Sequence, residues 1–330
     1  MANTYSNSIS YLNAKGYLEA SKAGYINEVL YGASFMGIIP IMPTSEFMLD
    51  KYWTRDRVPT SRTQNRSLNQ DYDAKQTNPF KANNEHTYLY GTETDMDYKL
   101  ARHTPELFDT MMNDDLKDLV TDLDSSIVND TVTADGKKIN GLAARVPIAS
   151  EFDVNGGLLT INTSATTMKQ FLRQFRRGVD KIKRSPGMQI VAFCNESIEQ
   201  AVTSGRDELA SGTTTVTAGE MFNQRVTMID GIPLIKVRDD STGSPILGFT
   251  ENDESSSSIW LLGIGGGSGE GSVNKPNGVV LLSNVDGGDL VQRPEPTVYK
   301  TQIYQTQEVE IGLRTPRHSV VRFSRLKAAS

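Results

Sequence analysis

Apolar residues return every three or four positions from Phe108 onward: Phe108, Met111, Met112, Leu116, Leu119, Leu123 and Ile127. That spacing lays one continuous stripe along an α-helix. Thr104 suits the N-cap, Pro105 the first helical position, and Glu106 and Asp109 the first turn. The pattern predicts a helix from there to about Asn129, on the order of 35 Å long. Its outer face is acidic, with Asp114, Asp115, Asp118 and Asp122. Asp135-Gly136 breaks the pattern, and Gly141-Leu142 opens the next segment.

A second stripe, Met168, Phe171, Leu172, Phe175, Val179 and Ile182, predicts a helix that begins at Ser164 or Thr166 and stops at Pro186-Gly187. Its polar face is basic: Lys169, Arg173, Arg176, Arg177, Lys181, Lys183 and Arg184. Short apolar or alternating runs predict strands at 158–162, 189–193, 226–229, 233–237, 259–264 and 279–282, with a short helix at 197–202. The segment 207–219 reads as a surface loop. Residues 298–323 are β-rich, Val309, Ile311 and Leu313 alternating with polar or small residues. Strand, helix, strand, helix and then several strands predict a mixed α+β core without repeated βαβ units. No internal repeat is present.

Two stretches depart from this regularity. Residues 1–40 read as an arm with a short amphipathic helix over 25–35, ended by Gly37 to Ile41, where the residue before Pro40 is pushed into an extended conformation. The stretch Pro40 to His103 carries many aromatics, including Phe47, Tyr52, Trp53, Tyr72, Phe80, Tyr88, Tyr90 and Tyr98, and a basic cluster of Arg55, Arg57, Arg62 and Arg66. No apolar period of two or 3.6 runs through it long enough to build a core face. Loops of this length inside a compact domain are uncommon and usually functional or disordered. The aromatics argue against disorder. An ordered excursion without its own core packs on another molecule, which points to assembly rather than catalysis.

Composition narrows the chemistry. The 330 residues carry a net charge of −6, an acidic balance that does not fit a dedicated nucleic-acid binder. The single cysteine, Cys194, forms no intramolecular disulfide and sits in an apolar run, the setting of a buried structural thiol. No signal peptide or membrane-crossing segment stands out, and the chain is expected to fold in a reducing cytoplasm. His86, His103 and His318 do not fall at metal-ligand spacing, so no metal or cofactor is expected. Asp122 with Asp124 and Asp239 with Asp240 are expected on a solvated helix face and in a turn. The glycine-rich run Gly263 to Gly269 follows a strand, but more loop follows it instead of the helix that phosphate binding needs. It reads as a flexible hairpin loop. The basic helix face could meet a phosphate backbone, but a solvated or subunit-paired face is the stronger expectation.

The succession of elements resembles the major capsid protein of tailed bacteriophages, with its Hong Kong 97-type fold. LDSSIVNDTVTADGKKINGL resembles the end of that family's spine helix and the glycine-rich turn after it. TTMKQFLRQFRRGVDKIKRSPGMQIVAFCNESIEQAV resembles the axial helix, strand and next helix, with Asn195 after the strand. MIDGIPLIKVRDD is similar to the Gly-x-Pro-Val strand, through Gly231 and Pro233 with Leu234 for the valine, and YQTQEVEIGLRTPRHSVVRFSRLKA to the closing strands, through Gly312 and Leu313.

The resemblance implies an N-terminal arm (1–40), an extended β-hairpin loop with flanking strands (41–100), a peripheral domain with the spine helix (101–157), an axial domain with a central mixed sheet flanked by helices (158–294), and return strands of the peripheral domain (295–330). It implies a shell subunit with no catalytic cycle, forming hexamers and pentamers around double-stranded DNA. Expected partners are further copies of itself, a scaffolding protein, a portal and a decoration protein. The expected location is the virion, after assembly in the host cytoplasm. No long scaffolding extension precedes the arm, which implies a separate scaffolding protein or a processed form. Lys51, Lys75 and Lys81 do not match the cross-linking motif of some members, so cross-linking is not carried over. Candidate contacts between subunits are Trp53, Arg55, Arg57, Arg62, Arg66, Phe80, Tyr88, Arg176 and Arg177. An encapsulin-like compartment is the alternative shell, and a soluble hydrolase with a lid loop the alternative from another class.

Overall fold

The computed structural model describes residues 35, 38–44, 46, 48–55, 80–99, 105–131, 138–146, 151–153, 159–161, 164–182, 188–205, 216–221, 224–237, 239, 244–249, 256–265, 278–283, 291–292, 297–299, 301–316 and 319–328. In chain order its elements are β1 (Ile41–Pro43), β2 (Leu49–Arg55), β3 (Phe80–His86), β4 (Tyr88–Asp97), α1 (Pro105–Asn129), α2 (Leu142–Arg145), β5 (Glu151–Asp153), β6 (Leu159–Ile161), α3 (Ala165–Lys181), β7 (Met188–Cys194), α4 (Glu196–Gly205), β8 (Val216–Met221), β9 (Gln224–Ile229), β10 (Ile232–Lys236), β11 (Ser257–Gly265), β12 (Val280–Ser283), β13 (Val291–Gln292), β14 (Thr297–Tyr299), β15 (Gln302–Arg314) and β16 (Val320–Ala328). Residues 25–34 of the expected arm helix, and His103, His318 and the proposed N-cap Thr104, lie outside the described residues.

The stripe on α1 is buried as its spacing predicts, from Phe108 and Met112 through Leu116, Leu119 and Leu123 to Ile127. It shares one apolar cluster with Ile303, Val309, Ile311 and Leu313 of β15. β15 is the axis of a six-stranded sheet that runs β1-β12-β15-β13, with β14 and β4 also paired to β15. Every second residue of β15 turns toward α1, and two of these are polar, Gln305 and Gln307. Gln307 is accommodated because its Nε2 donates to the Met112 carbonyl at 3.2 Å. The opposite face carries Glu310, Gly312 and Arg314.

The second sheet has eight strands in the order β5-β16-β11-β7-β10-β9-β8, with β6 also on β16. It is mixed: β10 runs parallel to β7, and β11 antiparallel to it. From Ile190 to Cys194, β7 is buried on both faces, which explains the apolar run there. Ile190, Ala192 and Cys194 meet α3 and α4, while Val191 and Phe193 join the cluster around α1. Phe35, in the expected arm, stacks on Phe193 with ring centroids 4.5 Å apart. Ser164 starts α3 with a reciprocal capping box to Thr167. Asp230 and Gly231, with φ of 50° and 77°, form the tight turn between β9 and β10, a conformation that favours glycine at the second position.

Several expectations need correction. Residues 216–219, placed in a surface loop by their small residues, belong to strand β8, which pairs with β9, so a ladder satisfies their backbone on that side. α3 ends at Lys181, and the next residue, Ile182, turns extended and is buried. The glycine-rich run does not close a hairpin. The flanking strands β11 and β12 belong to different sheets, and among the described residues they meet at a parallel bridge between Ile264 and Val279. Asp124 is not solvated: it is 0% exposed and accepts a hydrogen bond from the Phe35 amide at 3.1 Å. The last strand, β16, pairs with β11, β5 and β6 in the eight-stranded sheet.

Candidate functional site: the two-stranded hairpin and its root

β2 and β3 form an antiparallel pair from Leu49↔His86 to Arg55↔Phe80. Among the described residues they pair with each other and with no further strand. Thr87 alone separates β3 from β4, yet β3 and β4 do not pair with each other, so the chain passes from the hairpin into the body without doubling back. The excursion therefore contains a real hairpin, but it ends at His86. β4 belongs to the body, where it pairs with β15 from Tyr88↔Ile311 to Asp97↔Gln302. Its inward residues are Tyr88, Tyr90, Thr92, Thr94 and Met96. A period of two is present there, disguised because two of the five are threonines. Thr94 is buried, and its hydroxyl donates to Asp115 on α1.

The candidate contact residues separate accordingly. Trp53 and Arg55 lie on β2, and Phe80 on β3. Arg57, Arg62 and Arg66 lie outside the described residues. Tyr88, expected to contact a neighbour, packs against the core of its own chain. Tyr90 from the same aromatic set accepts a hydrogen bond from the Ile139 amide at 3.0 Å. Arg177 is exposed on α3. Arg176 beside it makes a two-pronged pair with Asp230, Nε to Oδ2 at 2.7 Å and Nη2 to Oδ1 at 3.2 Å, which fastens α3 to the β9–β10 turn.

Sequence reading missed the root of the hairpin. Arg314 at the end of β15 is 2% exposed and Asp50 on β2 is 1% exposed, with Nη1 and Oδ2 3.0 Å apart. The same guanidinium lies 5.3 Å from the ring centroid of Tyr52, and its Nη2 is 3.6 Å from the Met42 sulfur. On the other strand, Glu85 accepts from Arg145 of α2 at 2.8 Å, with side chains 17% and 12% exposed. The Tyr52 hydroxyl reaches Glu85 at 3.4 Å. Burial first, and the Glu85 carboxylate second, push the Tyr52 phenol up to about 12. Thr87 donates its hydroxyl to the buried Glu310. Gly312 permits this approach: a Cβ there would stand 2.7 Å from the His86 carbonyl oxygen. The signal available in sequence was a charged residue at each end of strand-like runs, which is too common to single out a pair.

Asn195, the residue after β7, is buried. Its Oδ1 accepts from the Ser197 amide at 2.8 Å, starting α4, and its Nδ2 donates to the Leu247 carbonyl at 2.8 Å. Burial pushes the Cys194 thiol well up, as expected of a structural cysteine. Among the described residues no three His, Cys, Asp or Glu side chains converge on a metal-binding geometry, and no helix is long and apolar enough to cross a membrane.

No family model and no curated protein matches the chain. Solved structures do. The holo-SrpI encapsulin complex from Synechococcus elongatus PCC 7942 is similar over 89% of this chain and 87% of that one, at 11% identity and a TM-score of 0.58. The cyanophage A-1(L) capsid is similar over 88% of this chain and 91% of that one, at 12% identity and 0.50. The structure of Gordonia phage Cozz is similar over 90% and 87%, at 13% identity and 0.50. Nearly the whole chain is covered in each case, and the chain has the Hong Kong 97-type fold.

Proposed function

We propose that the chain is a major capsid protein, which assembles through hexamers and pentamers into an icosahedral shell enclosing double-stranded DNA. The observation that carries this reading is the hairpin β2–β3. A lone two-stranded hairpin is marginally stable in water, and this one leaves the body with its strands paired only to each other among the described residues. A hairpin so placed gains its stability by lying on a neighbouring subunit. Repetition of that contact around local symmetry axes closes a shell. The subunit works by assembling, not by turning over a substrate. Within this reading its partners are copies of itself, a scaffolding protein, a portal and a decoration protein, and its place is the virion after assembly in the host cytoplasm.

An encapsulin-like compartment is the second reading, favoured by the higher TM-score of the encapsulin, 0.58 against 0.50. Electron microscopy of the purified protein tests both: uniform closed shells are expected, and a small monodisperse oligomer would overturn them together. Native particles holding nuclease-protected DNA support the phage head. Particles holding a protein cargo and no genome support the compartment.

A further inference from the structure

We propose that the buried pair Asp50–Arg314, together with Glu85–Arg145, is a two-point latch that sets the angle at which the hairpin leaves the body. Each strand of the hairpin is gripped by a different body element. β2 is held through Asp50 to Arg314 of β15, at 3.0 Å and with both side chains at most 2% exposed. β3 is held through Glu85 to Arg145 of α2 at 2.8 Å. Two anchors on two strands fix an orientation, where one would leave a swivel.

Tyr52 joins the two grips, since its ring lies beside the Arg314 guanidinium and its hydroxyl reaches Glu85. Thr87, between hairpin and body, is held on both sides, its amide donating to the Met48 carbonyl at 3.3 Å and its hydroxyl to Glu310. Buried ion pairs contribute little net stability compared with an apolar packing of similar volume, because desolvation offsets the attraction. They do demand one geometry, since a displaced partner leaves a buried charge uncompensated. The latch residues are positioning residues for assembly, and that consequence rests on the shell reading above. The latch itself does not, because it lies within one subunit.

The test separates the two. Ala82→Cys on β3 and Lys117→Cys on α1 are exposed sites for a pair of spin labels, while the native Cys194 is buried and stays unlabelled. With the latch intact, the distance between labels is expected to form one narrow distribution. Replacing both buried charges, Asp50→Leu with Arg314→Met, is expected to broaden or split that distribution while the subunit's melting temperature changes little. Glu85→Gln, which leaves the buried pair alone, gives an independent reading if the double variant fails to fold, and is expected to broaden it too. A distribution as narrow as that of the parent in Glu85→Gln, and in the double variant where it folds, overturns the latch. In assembly, the double variant is expected to give shells of mixed diameter where the parent gives one. A parent that forms no shells defeats the functional reading but leaves the distance measurement to decide the latch.

Discussion

A single aromatic residue reports on the state of the hairpin root. The Tyr52 phenol is raised from the ordinary 10.0 to about 12, by burial first and by the Glu85 carboxylate next. An acid whose folded value lies above its unfolded one keeps its proton in the folded chain after the unfolded chain has lost it. The folded state then binds more protons than the unfolded state, so stability falls as pH rises. The window follows from the two values: the contribution is whole below about pH 10, where both states are neutral, and is lost between about pH 10 and 12. Denaturant midpoints measured across that window should fall more steeply for the parent than for Tyr52→Phe. Equal slopes would show that Tyr52 ionises as freely as an exposed tyrosine. Little of this was legible in the sequence, where Tyr52 was one aromatic among eight in an excursion. What distinguishes it is Arg314, which lies 262 positions away in the chain but against its ring.

At the level of elements, the two periodicities were readable wherever apolar residues carried them. α1 and α3 followed from a stripe of large side chains, and β7 and β11 from apolar runs buried on both faces. Among the strands that escaped, β4 and β8 use threonine, glycine and glutamate where a strand is usually recognised by valine or isoleucine. Leu119 tests the part that was legible. It is buried on α1 in the cluster shared with β15, so Leu119→Asp would place an uncompensated charge there, at a cost of several kcal/mol, of the order of the whole stability of many domains. The expected outcome is insoluble protein; a soluble, assembling variant would show that α1 faces the other way.

The hairpin tests the part that needed correcting. Deleting residues 55–90 would remove the start of β4, and with it the pairing of Tyr88 and Tyr90 to β15. The cut that respects the structure removes 54–81 and joins Trp53 to Ala82, which are opposite each other, through an Asn-Gly turn. Both anchors, Asp50 and Glu85, remain. This variant should be folded and soluble by circular dichroism and gel filtration, yet form no stable shells by electron microscopy. Normal shells from it would remove the hairpin from the assembly contact.

For the whole molecule the question is where its charge is spent. Lys169, Arg173 and Arg177 are exposed on α3 at successive four-residue steps, and Asp114 and Asp118 are exposed on α1 at the same step. Residues four apart on a helix line one ridge at a rise of about 6 Å, so the two helices present rows of opposite sign with matching pitch. Arg176 lies off that row and is engaged by Asp230, an exposed pair worth about 0–1 kcal/mol. Reversing it mainly places like charges beside the β9–β10 turn. Arg177 is therefore the cleaner probe. In the capsid reading, a chain of net charge −6 meets a packaged genome only through weak, salt-sensitive contacts, which leaves the basic row for pairing between subunits. Arg173→Glu with Arg177→Glu is then expected to impair shell formation in preparations free of nucleic acid. Mixing with subunits that carry Asp114→Lys and Asp118→Lys is expected to restore part of it, because the rows again match in sign. If the basic-row variant assembles normally and only the DNA content of its particles falls, α3 is a genome contact and the pairing of rows is wrong.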